Sequence, residues 1–305
     1  MPRKLFALLG WEFARKPNKR RPFDNKAEVL GAVLDLTGAG DGVIEVTNKQ
    51  SRIEDLTKAI EDMKSLGWLS PARAASLKGK VSYAKGQLFG RVAAVMLPEL
   101  RRRARPGAFG MRVTQSLIGE LTWMRDFLAS SIPRRILARD VRPLVVVLTD
   151  AFLSGDCNKV GVGAVLLDPK GDASRSVSAE VPNEVLKKIQ TETKYVITAL
   201  EVLPVYFVRR LWNAATMHRR CFAFIDNDGA RHSLLRCRSG SQSVLLVLRR
   251  IVLLQAEWAC YMWYSRVPSP SNIVDGPSRG EIGDLTESGA ARDLIDSSFW
   301  REALA

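Results

Sequence analysis

The stretch Leu144-Val145-Val146-Val147-Leu148-Thr149-Asp150 decides the fold. An unbroken apolar run of this length, rich in β-branched residues, reads as a strand buried on both faces, and it ends on a carboxylate, where burial would normally exclude a charge. Outward from it, strand and helix alternate. Gly161 to Leu167 is a second strand reaching the turn Asp168-Pro169-Lys170-Gly171, and Ser174 to Val181 alternates as a third. Thr198 to Trp212 reads as helix and Arg220 to Ile225 as a strand ending at Asp226. Ser241 to Trp258 is a largely apolar helix, and Cys260 to Val267 a final strand. The order of three strands, helix, strand, helices, strand, helix predicts an α/β fold: a mixed sheet with a leading antiparallel meander and flanking helices.

Upstream the pattern differs. Ile132 to Arg142, bounded by Pro133 and Pro143, reads as a linker. Before it lies a basic, mostly helical region with a few strands at its start. Arg3 to Lys26 is dense in Lys and Arg around the apolar run Leu5 to Phe13, which reads as one or two strands with a basic loop. Ala27 to Leu36 is strand-like, Gly38 to Gly42 marks a turn, and Gly42 to Thr47 alternates as a strand would. Ser51-Arg52-Ile53-Glu54 has the form of a capping box, with Ile53, Leu56, Ile60 and Met63 at helical spacing behind it. Ser70-Pro71 opens a second helix running towards Leu97, and a third follows Thr114 and ends near Ala129. The division this predicts is a helical unit over 1–131, a linker over 132–142, the sheet domain over 143–290 and a tail or helix over 291–305.

Charge points to the class of partner. Forty-six Lys and Arg against 32 Asp and Glu leave a formal charge of +14 over 305 residues, which suits a polyanion, nucleic acid before any other. The most apolar stretch, Val244 to Leu254, is interrupted by Arg249 and Arg250, so no membrane span is expected. The start of the chain lacks a signal-peptide h-region, so an intracellular location is expected. Cys157, Cys221, Cys237 and Cys260 show no C-x-x-C spacing, and His218 and His232 alone offer imidazole, so any metal must be held by oxygen. Cys221 and Cys260 read as small apolar residues in strands. The run Arg101-Arg102-Arg103-Ala104-Arg105-Pro106-Gly107 reads either as a solvated loop between helices or as a phosphate contact.

Asp150 and Asp226 each end an apolar strand, the place where open α/β sheets bind ligands. Two carboxylates there repel unless a cation lies between them. Divalent magnesium prefers such oxygen ligands, and a pair of ions about 3.5 to 4 Å apart supports phosphodiester hydrolysis. That chemistry requires three or four converging carboxylates.

The blocks Val147-Leu148-Thr149-Asp150-Ala151, Gly161 to Leu166, Ile197 to Val202, Phe224 to Ala230 and Val267 to Arg279 occur in the order found in the RNase H domain of retroelement reverse transcriptases, which this half of the chain resembles. The strand end Ile225-Asp226-Asn227-Asp228 and the ending through Asn272-Ile273-Val274-Asp275-Gly276-Pro277-Ser278-Arg279 look most like DIRS-like and related retrotransposon enzymes. Upstream, Phe6 to Phe13 and Ser65 to Leu97, with Leu77 to Val81 and Phe89-Gly90-Arg91, look like the end of a palm and a thumb-like region.

The resemblance implies an RNase H-like fold, with Asp150, Glu201, Asp226 and Asp275 as metal-binding catalytic carboxylates. It implies Mg²⁺ or Mn²⁺, two ions, and an RNA/DNA hybrid as substrate. Asn227, Ser271, Asn272, Arg231, Arg266 and Arg279 would position the duplex, joined by Arg101, Arg102 and Arg103. Singly, each residue has a plainer reading. Asp150 is also a turn residue, Glu201 a solvated helix residue, Asp226 and Asp275 helix N-caps, Arg279 a structural ion-pair partner, and Trp258, Trp263 and Tyr264 core or strand-face aromatics.

The chain departs from the family in three ways. Pro204 falls in the helix that carries Glu201: with Glu201 in the first turn the proline is tolerated, and deeper in the helix a kink would displace that residue. No His precedes Asp275 in its loop, and the sequence has no Asp-Asp dipeptide such as a polymerase uses. Two functional readings follow: a metal-dependent endoribonuclease, or an inactive retroelement remnant that only binds nucleic acid.

Overall fold

The computed structural model describes residues 24–88, 92–105, 107, 111–130, 133–138, 140–155, 159–169, 174–257, 260–281 and 289–304. The strands expected around Leu5 to Phe13, the Phe89-Gly90-Arg91 segment, Cys157, the Lys170-Gly171 turn and Trp258 lie outside these residues.

The expected strand Ala27 to Leu36 is a hairpin, β1 (Lys26–Val29) and β2 (Ala32–Asp35). Leu30 and Gly31 both take positive φ, 50° and 73°, the turn geometry that lets two strands reverse over two residues. β3 (Val43–Asn48) pairs with β2, and α1 (Gln50–Leu66) follows. The capping box is not formed: the helix begins two residues early, Lys49 is the N-cap, and no side chain caps it. Gly67, at φ 64°, ends the helix in the left-handed conformation glycine accepts most readily.

β4 (Trp68–Leu69) leads to α2 (Pro71–Leu88), where the Arg73 amide donates to Ser70 Oγ. α3 (Val92–Met96), α4 (Pro98–Arg103), β5 (Met111–Arg112) and α5 (Gln115–Ser130) complete a cluster built on Leu56, Ile60, Leu77, Leu117 and Leu121. β6 (Arg134–Leu137) lies in the expected linker, yet it pairs with β3 and completes the sheet β1-β2-β3-β6.

The second half begins with β7 (Leu144–Leu153), which runs three residues beyond Asp150 and sets that carboxylate inside the strand, opposite Gly163. β8 (Val160–Leu167) and β9 (Arg175–Glu180) complete the meander. α6 (Asn183–Glu192) is an amphipathic helix with Val185, Leu186 and Ile189 buried. Its i, i+1, i+4 apolar spacing was legible in the sequence and was passed over. α7 (Val196–Leu211), α8 (Asn213–Thr216), β10 (Arg220–Ile225), α9 (Asp228–Arg236), α10 (Gln242–Glu257) and β11 (Met262–Arg266) follow. α11 (Asp275–Ser278), β12 (Ala291–Asp293) and α12 (Ser297–Ala303) close the chain.

The sheet order is β11-β10-β7-β8-β9-β12. β8 is antiparallel to both neighbours, β10 is parallel to β7 and β11, and α7 and α10 pack on one face: a mixed RNase H-like sheet with flanking helices. Residues 291–303 are more than a tail, since β12 adds a parallel strand beside β9 and α12 sets Trp300 edge-on to Phe207 of α7, ring centroids 4.8 Å apart. Cys221 and Cys260 are buried beside one another, Sγ to Sγ 3.6 Å, as the small apolar residues expected. The halves touch through α3, whose Val95 belongs to the larger core, while Met96 and Trp123 pack against both cores. Among the described residues no helix is long and apolar enough to cross a membrane.

Candidate metal centre

Parallel pairing of β7 with β10 ends at Thr149 and Ile225. Asp150 and Asp226 are therefore the next residues on two adjacent strands, where the strands part and leave a crevice. Glu201 enters from α7, which packs over β7 and β8. One carboxylate oxygen from each of the three lies within 4.8 Å of the others. Asp150 and Glu201 are buried and Asp226 is half-buried.

Pro204 does not undo this arrangement. α7 runs without interruption from Val196 to Leu211, and Glu201 stands in its second turn, ahead of the proline. A proline removes its own N–H from the bond to the carbonyl four residues back, here Leu200, and leaves the amide bond of Glu201 itself untouched.

The centre gathers three acidic side chains in a largely buried place. Burial, opposed by the Ser278 hydrogen bond and reinforced by the charges of Asp226 and Asp275, pushes the Asp150 carboxyl up to about 6. Burial, then the charges of Asp150 and Asp226, raises Glu201 well above the usual carboxylate range. Glu201 Oε2 is buried with no hydrogen-bond partner. Among the described residues no lysine or arginine forms an ion pair with any of the three. An orphaned carboxylate oxygen inside an all-oxygen donor set fits a hard divalent cation.

The segment 272–279 supports Asp150. Asn272, buried, donates from Nδ2 to the Thr149 carbonyl (3.2 Å) and to Asp150 Oδ1 (3.4 Å). Ser278 Oγ donates to Asp150 Oδ2 at 2.6 Å. Ser278 was not singled out from the sequence, and its position in the Pro277-Ser278-Arg279 block was the one available signal. Glycine makes the approach possible: a Cβ on Gly161 would stand 2.1 Å from the Ser278 carbonyl oxygen, and one on Gly163 would stand 2.9 Å from the Ser278 amide nitrogen.

Asp275 is not brought into the trio. It is exposed at the start of α11, its carboxylate held by Arg279 at 2.9 Å, and it reaches Asp150 through its charge. Arg279 in turn lies over the Phe152 ring at 4.2 Å. Asn227, not Asp226, is the N-cap of α9, its Oδ1 accepting from the Ala230 amide at 2.9 Å, which leaves the Asp226 carboxylate to the cluster. Arg231 and Arg266 converge on Asp228, at 2.9 and 3.7 Å, beside Asn227. Ser271 ends the short turn before Asn272 and is exposed.

The arginine run lies elsewhere, in the last turn of α4 instead of a loop. Arg101 is half-buried against the Ala94 carbonyl, and Arg102 is exposed and bound to Glu99 at 2.8 Å. Arg103 is buried, bonded to Glu99 (2.9 Å) and the Arg112 carbonyl (2.7 Å), which takes it out of reach of a phosphate.

A cavity of about 590 Å³ lies between the starts of α7, α9 and α10, lined by Thr198, Gly229 and Ser241 and by both Lys194 and the acidic Glu192. Helix starts favour anions.

No protein-family model matches the chain, and no curated protein does. Among solved structures it is similar to RNase H1 from the halophilic archaeon Halobacterium salinarum, at 15% identity over 42% of this chain and 89% of that one, with a TM-score of 0.31. It is similar to the N-terminal RNase H domain of a Mycobacterium tuberculosis protein, at 16% identity over 48% and 99%, TM-score 0.34. A third is an RNase H1 isolated from compost and solved with an RNA/DNA hybrid, at 14% identity over 47% and 99%, TM-score 0.34. Strand order and the helix crossing from the meander to β10 give the second half of the chain an RNase H-like fold, a mixed sheet with flanking helices.

Proposed function

We propose that this chain is a metal-dependent endoribonuclease that cuts the RNA strand of RNA/DNA hybrids. The observation that carries the reading is the convergence of Asp150, Glu201 and Asp226 within 4.8 Å, one of their oxygens buried and unbonded. Asp150, Glu201 and Asp226 would hold Mg²⁺ or Mn²⁺, as one ion or two, with Asp275 joining once it releases Arg279. Bound divalent metal supplies an activated water and stabilises charge on the leaving oxygen. Ser278 and Asn272 keep the Asp150 oxygens aimed, and burial of Glu201 keeps bulk water from competing for its carboxylate. Arg231, Arg266, Arg279 and Asn227 flank the centre where a backbone would pass. The cavity at the three helix starts suits one of the phosphates of the bound duplex.

For the whole chain, we propose the setting of a retroelement reverse transcriptase of DIRS-like type: a palm-end and thumb-like or connection region over 1–131, a linker over 132–142 and the nuclease over 143–290. The support is the order of the sequence blocks and the overall charge of +14.

The test is incubation of the purified chain with a hybrid labelled on the RNA strand, in Mg²⁺ and in Mn²⁺. The expected result is cleavage of RNA that Asp226→Asn abolishes while circular dichroism shows the fold retained. A folded protein that cuts nothing with either ion overturns the enzymatic reading and leaves the binding-only remnant.

A further inference from the structure

The sheet of the RNase H-like domain has a second face that the helices do not fully cover. On β7, β10 and β11 the residues Val145, Val147, Cys221, Ala223, Met262 and Tyr264 turn into the main core. The residues between them turn the other way, and Val146, Phe222 and Trp263 form one row: Phe222 is in register with Val146 on one side and with Trp263 on the other. Near the carboxylates this face is shielded, because Val274 packs on Leu148 and Val165, with Phe224 against them. Further along it is open. Phe222 is 38% exposed, Trp263 59%, and Tyr261, two residues earlier on the same side, 44%.

Arginines border these aromatic residues. Arg220 shares the face with Phe222, two residues before it on β10, and Arg134 is close enough to Tyr261 to act on its hydroxyl. Arg142 and Arg219 are held by Asp140 and Asp168. Arg134 forms no ion pair among the described residues, and Arg220, whose Nε donates to the Arg142 carbonyl at 2.8 Å, feels Asp140 only through its charge. Strand alternation also puts Asp150 on this face, four residues along β7 from Val146, so the aromatic row lies about 13 Å from the metal centre at ~3.3 Å per residue. Neighbouring exposed aromatic rings, bordered by arginine and on the same face as the candidate metal centre, match the way single strands are held: bases on rings, backbone on cations.

We propose that Phe222 and Trp263 form a stacking platform for a single-stranded stretch of nucleic acid adjoining the bound hybrid, with Arg220 and Arg134 meeting its phosphates. The proposal rests on the nucleic-acid reading above and is independent of cleavage. It is tested on the full chain in EDTA by fluorescence anisotropy with labelled oligo(U), oligo(dT) and a blunt RNA/DNA hybrid. Trp263→Ala with Phe222→Ala is expected to weaken binding of both single strands by about 30-fold or more, from two stacked bases at ~1–3 kcal/mol each. Binding of the blunt hybrid stays within about twofold. Trp263→Phe retains most of the affinity. Arg220→Ala lowers the salt slope of single-strand binding by about one, which the aromatic variants leave alone. Unchanged single-strand affinity in a folded double variant overturns the proposal. So does loss of self-association in Trp263→Ala, read by sedimentation, with RNA affinity unchanged, since the face would then be covered by protein. Absence of hybrid cleavage alongside ring-dependent binding of single strands would sink the nuclease and leave the platform standing.

Discussion

Asp150 shows how one residue couples chemistry to stability. Its carboxyl, pushed up to about 6 by burial and by neighbouring acids, takes a proton more readily folded than unfolded, where an aspartate titrates near 4. The folded state therefore binds more protons between those values, and by linkage the metal-free protein loses stability as pH rises from about 4 through about 6. Two pKa units correspond to about 3 kcal/mol, and the raised pKa of Glu201 acts in the same direction. Asp150→Asn is expected to raise the melting temperature in EDTA at pH 7.5 and to flatten the difference between pH 5 and pH 7.5, while Mn²⁺ stabilises the native chain and not the variant. Equal pH profiles for the two proteins would refute this account. That Asp150 and Asp226 belong to one site was legible in the sequence, because each closes an apolar strand with a charge. Ser278 was not, because its bond to Asp150 spans 128 residues and the Pro-Ser-Arg triplet does not say which group its serine meets.

At the scale of elements, α11 is held over the sheet by what β8 lacks. Gly161 and Gly163 alternate with apolar residues in a strand that reads as ordinary until the Ser278 backbone is found against it. Gly161→Ala brings a methyl into a backbone carbonyl, which no side-chain rotation relieves. It is expected to cost about 1–3 kcal/mol and to weaken Mn²⁺ binding, seen by thermal melting and calorimetric titration, by displacing Ser278 from Asp150. Full metal affinity in the variant would break the link between the glycines and the site. α7 teaches the converse lesson. Proline argued for a displaced Glu201, yet the N-terminal half of the helix is secured by Ala199, Leu200, Val202 and Leu203 in the core, and packing outweighs the bond lost at Leu200. Helix starts were legible where a hydroxyl precedes the first turn, as at Ser70 and Thr114, and misread at Ser51, where the helix begins earlier without a cap.

The whole molecule depends on its last residues more than their composition suggests. β12 extends the sheet, Trp212 donates from its indole nitrogen to Asp293 at 2.7 Å, Glu302 binds Arg210 at 2.6 Å, and Trp300 is buried on Phe207. Trp300→Ala is expected to destabilise the chain by about 3–5 kcal/mol, read in a urea melt, with hybrid cleavage retained in the fraction that folds. A loss below about 1 kcal/mol would show the C-terminal segment to be an accessory. The arginine run that draws the eye is not free for a partner as a whole. Arg103 is spent on Glu99 inside the fold, while Arg231 and Arg266 pair with Asp228 and Arg279 pairs with Asp275.

What the sequence determined by itself was therefore local: strand and helix periods, carboxylates at strand ends, a charge that calls for a polyanion, and the ordered blocks of an RNase H-like domain. The tertiary structure decided the rest. It set Asp150 inside its strand against Gly163, left Asp275 on Arg279 outside the trio, buried Arg103 and joined β12 to β9. Periodicity reports which face of an element is apolar, since neighbours three or four apart share that face. Which remote segment meets the face is settled by close packing and register between residues far apart in the chain, and no local pattern encodes that.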